Sequence, residues 1–341
     1  MRALVVGATS WGCTLALQLD RAGTTAVVLC RNAPEAAQLA AERENRRLLP
    51  GITLPDSLDF THDPAAVGPV DAVILAVPLQ RLRENLAAVL ALPGDLPPLV
   101  NASKGLEVGT DLRGSQVIAQ ELDAAGRRAP IAALSGPNIA REVAIEQAST
   151  TVLAGATSEV LIALRGMLMT PAFRVYTNED IVGVELGGAL KNIIAIGAGI
   201  GDALNVGANG RAAFLTRGLA EMARLGAAEG AQPLSFAGLA CLGDLIATSI
   251  SPRSRNRYVG EQLGLGHKLD EILAGMVHVA EGVDTTHAAR DMARRAGVEM
   301  PIVEAMHRVL FEGQRPTDAI RDLMTRSAQD ELAGMPQIFP A

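Results

Sequence analysis

Aromatic residues and cysteines are both scarce in this chain. Only 3% of its 341 residues are aromatic while 49% are hydrophobic, so the core must be built largely from aliphatic side chains. Its three cysteines, Cys13, Cys30 and Cys241, are scattered along the chain and form no metal-ligand pair. We therefore expect no metal centre, and this cysteine usage suits a reducing cytoplasm.

A strong excess of positive charge is also missing. The net charge is -7, with acidic and basic residues mixed along the length, which argues against nucleic acid as a main partner. The N-terminal run Met1–Gly7 has no long apolar region followed by a cleavage site, so it does not read as a signal peptide. Residues 184–200 are apolar enough to suggest a membrane span. The central Lys191-Asn192 pair and repeated glycines favour a buried core helix instead, so we expect no membrane insertion.

The first half of the chain alternates apolar strands with helical stretches. Such alternation predicts a Rossmann-like, doubly wound α/β sheet with parallel strands and helices on both faces. The predicted strands follow here: 3–6, 25–30, 71–77, 98–102, 131–134, 149–153 and 173–176. A helix is predicted from about Ser10 to Ala22, directly after the first strand.

The character of the sequence changes near Ile181. From there to about Arg326 the periodicity is helical, and Pro301 and Pro316 sit where prolines of a first helical turn belong. We therefore predict a dinucleotide-binding domain at 1–180, an all-α substrate-binding and catalytic domain at 181–330, and a tail at 331–341.

Lys191 is the most informative residue of the second half. Between Glu185 and Asp202 it is the only charged side chain, and lysine is rarely buried unless something holds it there. Desolvation lowers the pKa of a lysine forced into an apolar helix, which suits proton transfer near neutral pH. Lys191 is therefore a candidate general acid and base.

A glycine turn, Gly7-Ala8-Thr9-Ser10-Trp11-Gly12, joins the first strand to the first helix. This is the place for a dinucleotide pyrophosphate, and the sequence favours that interpretation over the alternative of a plain tight turn. Thr9 stands where the second glycine of that fingerprint is expected. Arg31 follows the second strand, where an arginine favours the 2′-phosphate of NADP over NAD, unless it is an ordinary surface residue.

Further candidates follow later strands and one later helix. Lys104 and the segment Ser135-Gly136-Pro137-Asn138 lie after the fourth and fifth predicted strands, where ligands bind in parallel sheets. Alternatively, Lys104 is a solvated loop lysine and Asn138 a helix cap. Asp244 and Thr248 fall on one helical face. Ser254-Arg255-Asn256 suits a phosphate, though such a pattern is as often a solvated loop.

Taken in order, these segments resemble NAD(P)-dependent glycerol-3-phosphate dehydrogenase of the bacterial type, nearly from end to end. The resemblance is most specific in two segments, Glu185–Asn192 and Ser254–Arg257. It also rests on the following shorter ones: Gly7–Gly12, Leu49–Gly51, Leu75–Pro78, Ser103–Gly105, Leu134–Pro137, Thr216–Gly218, Gly243–Leu245 and Ala280–Val283.

The resemblance implies reversible reduction of dihydroxyacetone phosphate by NAD(P)H to sn-glycerol 3-phosphate, the glycerophospholipid backbone. It makes Lys191 the proton donor and acceptor, assisted by Asp244, Thr248 and Lys104. It implies that the substrate contacts Lys104, Gly136, Asn138, Lys191, Asp244, Ser254, Arg255 and Asn256. It implies that the cofactor contacts Gly7, Ser10, Trp11, Gly12, Arg31, Lys104, Ala140, Arg255, Val279 and Glu281. We also expect a homodimer and a preference for NADP over NAD.

Four positions depart from the family pattern: Thr9, Asn138, Cys241 and Ala203. None of them removes a group with an implied catalytic role. Two other hypotheses stay open at this point. One is a related two-domain NADP-dependent hydroxyacid or ketopantoate-type reductase, which would leave Ser254-Arg255-Asn256 unexplained, and the other is a nucleotide-binding sensor without catalysis.

Overall fold

The computed structural model of the chain describes residues 1–155, 157–276, 280–327 and 330–331. It divides into two compact units. Unit 1 comprises residues 1–104 and 114–181, and unit 2 comprises residues 105–113 and 182–341. The predicted domain limits at 180 and 330 place residues 105–113 in the first domain, whereas their contacts group them with unit 2.

Unit 1 is built on one eight-stranded sheet of order β3-β2-β1-β4-β5-β6-β7-β8. The strands are β1 Arg2–Val6, β2 Thr25–Leu29, β3 Asp59–Thr61, β4 Ala72–Leu75, β5 Leu99–Asn101, β6 Ile131–Ser135, β7 Ser149–Gly155 and β8 Phe173–Asn178. Its helices are α1 Ser10–Arg21, α2 Ala33–Glu42, α3 Leu82–Leu90, α4 Gly114–Ala124, α5 Ala140–Ala144 and α6 Ser158–Leu168. The Rossmann-like prediction is confirmed.

Two features of the sheet differ from the prediction. The three-residue edge strand β3 was not predicted. The pair β6–β7 is antiparallel, so the expectation of a parallel sheet is wrong at this pair. The connection between them contains only the five-residue helix α5, which is too short to carry the chain back along the sheet as a parallel crossover requires.

The regular secondary structure among the described residues of unit 2 is all helical, as predicted. Its helices are α7 Ile181–Ala203, α8 Gly207–Ala228, α9 Asp244–Ile250, α10 Arg255–Gly264, α11 Leu269–Ala274, α12 Glu281–Ala296, α13 Pro301–Phe311 and α14 Pro316–Thr325. A π-helical turn, Leu239–Gly243, leads into α9. Two segments, Ile181–Ala203 and Pro233–Ile250, are long and apolar enough to cross a membrane. Of the most apolar window of α7, 83% is buried, which is what the core helix of a globular unit shows.

The short segment 105–113 is attached firmly to unit 2. Leu106 is fully buried in the apolar core of that unit. Arg113 forms an ion pair with Glu185 of α7 at 2.8 Å, with both side chains largely buried. Asp111 accepts a hydrogen bond from Arg295 of α12. The chain therefore enters unit 2 at Gly105, returns to unit 1 at Gly114, and enters unit 2 again at Val182.

Candidate active site

Lys191 lies in the middle of α7 and is only 5% exposed. Its Nζ donates a hydrogen bond to Asp244 Oδ1 at 2.9 Å and another to Thr248 Oγ1 at 2.5 Å. Asp244 and Thr248, one turn apart on α9, are themselves joined by a hydrogen bond of 2.9 Å from Thr248 Oγ1. A buried ammonium is thus compensated by one carboxylate and one hydroxyl, which is the pairing that burial of a lysine requires.

Close packing between α7 and the turn before α9 brings together the triangle formed by Lys191, Asp244 and Thr248. A side chain on Gly187, one turn before Lys191, would meet Cys241 Cβ at 2.7 Å, so the bare glycine lets the π-helical turn approach α7. Cys241 is fully buried there, and burial, followed by the charge of Asp244, raises the pKa of its thiol well above the usual range. The thiol is therefore neutral and acts in packing beside Asp244.

A second group of predicted residues lies at the first turn of α10. Ser254 is its N-cap, with Oγ accepting a hydrogen bond of 3.2 Å from Arg257 N, and Arg255 is exposed. Asn256 is buried, its Nδ2 donating to Asn192 Oδ1 at 2.9 Å. An exposed guanidinium at a helix N-terminus is suited to an anion, since the helix dipole adds to its charge.

Within unit 1, the predicted residues follow strands that are mutually parallel. Because these strands run in the same direction, the residues that follow them lie at one edge of the sheet, formed by the carboxyl ends of the strands. These residues are Gly7 after β1, Arg31 after β2, Lys104 after β5 and Gly136 after β6. Lys104 is half-buried and its Nζ donates to Gly136 O at 3.1 Å. This edge is where ligands bind in such sheets.

Gly136 and Asn138 are tightly constrained. A Cβ on Gly136 would lie 2.9 Å from Thr151 Cα, so the turn after β6 needs a glycine. Asn138 Nδ2 donates to Thr150 O at 2.7 Å, and among the described residues its buried Oδ1 has no hydrogen-bond partner. Asn138 is not the helix cap that the alternative interpretation predicted, because α5 begins at Ala140 with Ile139 as N-cap. An unsatisfied buried oxygen suits a ligand donor.

The glycine turn of unit 1 fits a dinucleotide pyrophosphate. Gly7 has a φ of 102°, which favours glycine, and a Cβ on Gly12 would overlap the Gly7 carbonyl oxygen. Ser10 and Trp11 are the first two residues of α1, so their backbone N–H groups lie at its N-terminus.

Thr9 has a role that the sequence did not reveal. Its Oγ1 accepts from Gly12 N at 2.9 Å, as the N-cap of α1, and donates to Ala76 O at 2.7 Å beyond β4. The departure from the glycine fingerprint therefore ties the turn to the sheet. A threonine immediately before a helix is the signal that could have predicted this cap.

The remaining predicted cofactor residues are dispersed over both units. Arg31 is exposed; its backbone N–H donates to Glu35 Oε2 at 2.9 Å and its guanidinium lies 3.7 Å from Glu35 Oε1. Ala140 begins α5, and its carbonyl accepts from Thr14 Oγ1 at 3.2 Å. Glu281 begins α12. Val279 lies outside the described residues.

Comparisons with known proteins match both halves of the chain to the same family. Residues 3–161 match the family model of the NAD-dependent glycerol-3-phosphate dehydrogenase N-terminus, and residues 180–321 match that of its C-terminus. A glycerol-3-phosphate dehydrogenase [NAD(P)+] of Chlorobium limicola is 48% identical over 97% of this chain and 100% of its own length.

The chain is also similar to a solved structure of the same family. The crystal structure of glycerol-3-phosphate dehydrogenase from Coxiella burnetii is 35% identical, with a TM-score of 0.89 over 95% of this chain and 99% of that one. A ketopantoate reductase of the PanE/ApbA family from Ralstonia eutropha is 15% identical, with a TM-score of 0.61 over 94% of this chain and 100% of that one. The latter likeness shows a shared fold alone.

Proposed function

The chain belongs to the NAD-dependent glycerol-3-phosphate dehydrogenase family, and we propose that it catalyses the reversible NAD(P)H-dependent reduction of dihydroxyacetone phosphate to sn-glycerol 3-phosphate. The product is the backbone of glycerophospholipids. The observation that supports this proposal most directly is the group of buried hydrogen bonds among Lys191, Asp244 and Thr248, since a lysine held by a carboxylate and a hydroxyl is suited to give a proton to a ketone oxygen.

Lys191 is proposed to give its proton to the substrate oxygen during reduction and to take it back during oxidation. A dinucleotide bound to unit 1 would supply the hydride. Asp244 and Thr248 hold the ammonium in one orientation, so little reorganisation is needed when the proton moves. Because the oxygen is protonated as negative charge develops on it, no free alkoxide has to form.

Lys104, Gly136 and Asn138 are proposed to bind the substrate in unit 1. Lys104 is held by the Gly136 carbonyl, which directs a second positive charge toward this edge of the sheet. The unsatisfied Oδ1 of Asn138 would accept a hydrogen bond from a substrate hydroxyl. Lys104 is also proposed to contact the cofactor.

The first turn of α10 is proposed to bind the substrate phosphate. Arg255 offers its guanidinium, Ser254 its hydroxyl and Asn256 an amide N–H, all at a helix N-terminus. A reductase for a substrate without phosphate would have no use for this set. The nucleotide is assigned to Gly7, Ser10, Trp11, Gly12, Arg31, Ala140, Arg255, Val279 and Glu281.

One assay tests the proposal. NADH or NADPH oxidation is followed with dihydroxyacetone phosphate and, separately, with dihydroxyacetone as substrate. We expect turnover of the phosphorylated ketone with both cofactors and a strong loss of kcat/KM without the phosphate. Equal use of the two ketones would favour a reductase of another specificity, and absence of turnover with tight NADPH binding would favour a nucleotide sensor.

The assembly and location of the protein are further proposals. We propose a cytoplasmic homodimer, and the three buried cysteines, all free thiols, support a reducing compartment. Light scattering coupled to gel filtration measures the mass in solution against 35.5 kDa for one chain. A mass of one chain would contradict the dimer, and recovery of the native protein in a membrane fraction would contradict the location.

A further inference from the structure

Asn192, the neighbour of Lys191 on α7, lies at the start of a chain of hydrogen bonds that runs away from the lysine. It is 2% exposed. Its Oδ1 accepts from Asn256 Nδ2 at 2.9 Å, and Asn256 Oδ1 in turn accepts from Gly282 N at 2.9 Å. Three helices, α7, α10 and α12, are thus connected by the single amide of Asn256.

Packing fixes the register of this connection. A Cβ on Gly260 would overlap the carbonyl oxygen of Ile196, so the backbones of α10 and α7 are in direct contact there. Asn256 and Asn192 each lie four residues before that contact, on the same helix faces. A Cβ on Gly282 would lie 2.7 Å from Asn192 O and 2.8 Å from Asn256 Oδ1. The amide of Asn256 therefore has very little room for another position.

The same amide acts as the cap of α12. The N-cap position of that helix is Ala280, which has no side-chain acceptor, and Gly282 is the second helical residue. Asn256 Oδ1 accepts its N–H from a neighbouring helix, as a cap side chain would. The carbonyls of Glu281 and Gly282 accept from Thr285 and Thr286, each at 2.7 Å. The first turn of α12 is consequently held at both its N–H and its carbonyl groups.

We infer that Asn192 is a positioning residue for phosphate recognition: through Asn256 it aligns the phosphate-binding turn of α10 with the first turn of α12. The inference rests on the proposed function. A primary amide has one oxygen and two N–H groups in one plane. Once Gly282 engages the oxygen and Asn192 engages one N–H, the direction of the second N–H is determined, and this is the donor offered to the phosphate.

The test compares two variants of Asn192 with two substrates. Asn192→Leu removes the acceptor at similar size, whereas Asn192→Asp retains Oδ1. In Asn192→Leu we expect KM for dihydroxyacetone phosphate to rise about 10- to 100-fold, as for a lost hydrogen bond to a charged group, because the second N–H of Asn256 is no longer directed at the phosphate. We expect kcat to change much less, kcat/KM for dihydroxyacetone to stay near its wild-type value, and Asn192→Asp to restore most of the affinity.

A double variant separates positioning from general damage. If Asn192 acts through Asn256, adding Asn192→Leu to Asn256→Ala should raise KM little further. Equal losses on both ketones, or independent losses in the double variant, would overturn the inference and leave the proposed function intact. If Asn192→Leu fails to fold, Asn192→Ala takes its place: a raised KM confined to the phosphorylated ketone supports the inference, and a wild-type KM contradicts it. A wild-type chain inactive on dihydroxyacetone phosphate would instead refute the proposed function.

Discussion

Lys191 and Asp244 form an ion pair of 2.9 Å in which both side chains are at most 6% exposed. The two residues lie 53 positions apart in the sequence. A pair this deeply buried is a weak source of stability, because desolvation opposes the attraction, so its presence in the core points to a task other than holding the fold.

Replacement of Lys191 by methionine should remove the proton donor while retaining much of the side-chain volume. We expect kcat for dihydroxyacetone phosphate to fall about 10²- to 10⁴-fold, the usual contribution of general acid–base catalysis. Lys268→Met, at an exposed lysine of unit 2, is the matched control. Steady-state kinetics measures both, and near-normal turnover of the Lys191 variant would contradict the assignment.

Thr9→Ala should lower both the stability of unit 1 and its affinity for the nucleotide. Loss of the cap and of the link to Ala76 is expected to lower the free energy of unfolding by about 0.5–2 kcal/mol. Thr9→Ser keeps the hydroxyl and serves as control. Urea denaturation measures the stability and NADPH fluorescence the affinity. The cap assignment would be wrong if the serine variant lost as much stability as the alanine variant.

Arg31→Ala should alter cofactor choice. If Arg31 recognises the 2′-phosphate, KM for NADPH is expected to rise about 10- to 100-fold, as for a lost charge-assisted hydrogen bond, while KM for NADH hardly changes. Arg46→Ala, at another arginine of unit 1 with a largely exposed side chain, is the control. Equal effects on NADPH and NADH would show that Arg31 does not read the 2′-phosphate.

Gly187 and Cys241 should be energetically coupled. Gly187→Ala is expected to cost about 1–3 kcal/mol by overpacking against Cys241 Cβ, but little in a Cys241→Gly background. Gly166→Ala in α6, where a Cβ meets no atom within 4 Å, should instead stabilise the protein by about 0.5–1 kcal/mol. Thermal and urea unfolding of the four-member cycle measure the coupling, and additive costs would exclude it.

Glu221 should make the stability depend on pH. Burial raises the pKa of its carboxyl to about 7, although the N–H groups of Ile302 and Val303 and the charges of Arg224 and Arg217 oppose the shift. Because the pKa is higher in the folded than in the unfolded chain, this contribution is fully present below pH 4.5 and is lost as the pH rises through 7.

Glu221→Gln isolates that contribution. The glutamine mimics the protonated acid and does not titrate, so its contribution to stability does not change with pH. Between pH 5 and pH 8 the wild type should therefore lose up to about 3 kcal/mol of unfolding free energy relative to the variant. Urea unfolding at both pH values measures it. A difference independent of pH would show that Glu221 keeps one protonation state throughout.

Local signals in the sequence predicted most of the fold. Apolar runs marked seven of the strands, and Pro301 and Pro316 begin α13 and α14 as predicted. The edge strand β3 was missed because three residues, Asp59-Phe60-Thr61, are too few to show alternation. The reversal at β7 was missed because strand direction depends on the length of the connection, which periodicity does not report.

The candidate site was predicted only in part, from helical spacing and from resemblance to the family. Helical spacing alone places Asp244 and Thr248 on one face, and resemblance to the family supplies their association with Lys191. Neither source indicates that Asn192, Asn256 and Gly282 form one chain of hydrogen bonds, because their contacts join three separate helices. Such contacts depend on close backbone packing at glycines, and a glycine in a sequence does not reveal what approaches it.

The chain passes between its two units three times, and this limits how the units can be separated into fragments. A fragment beginning at residue 182 would lack Leu106 of the unit 2 core and the Arg113 partner of Glu185. No single cleavage point therefore yields two complete halves, and separate expression of unit 2 requires residues 105–113 to be supplied by a linker or a circular permutation. During synthesis, residues 105–113 leave the ribosome before unit 1 is finished, so they cannot join the core of unit 2 until residues from 182 onward have followed.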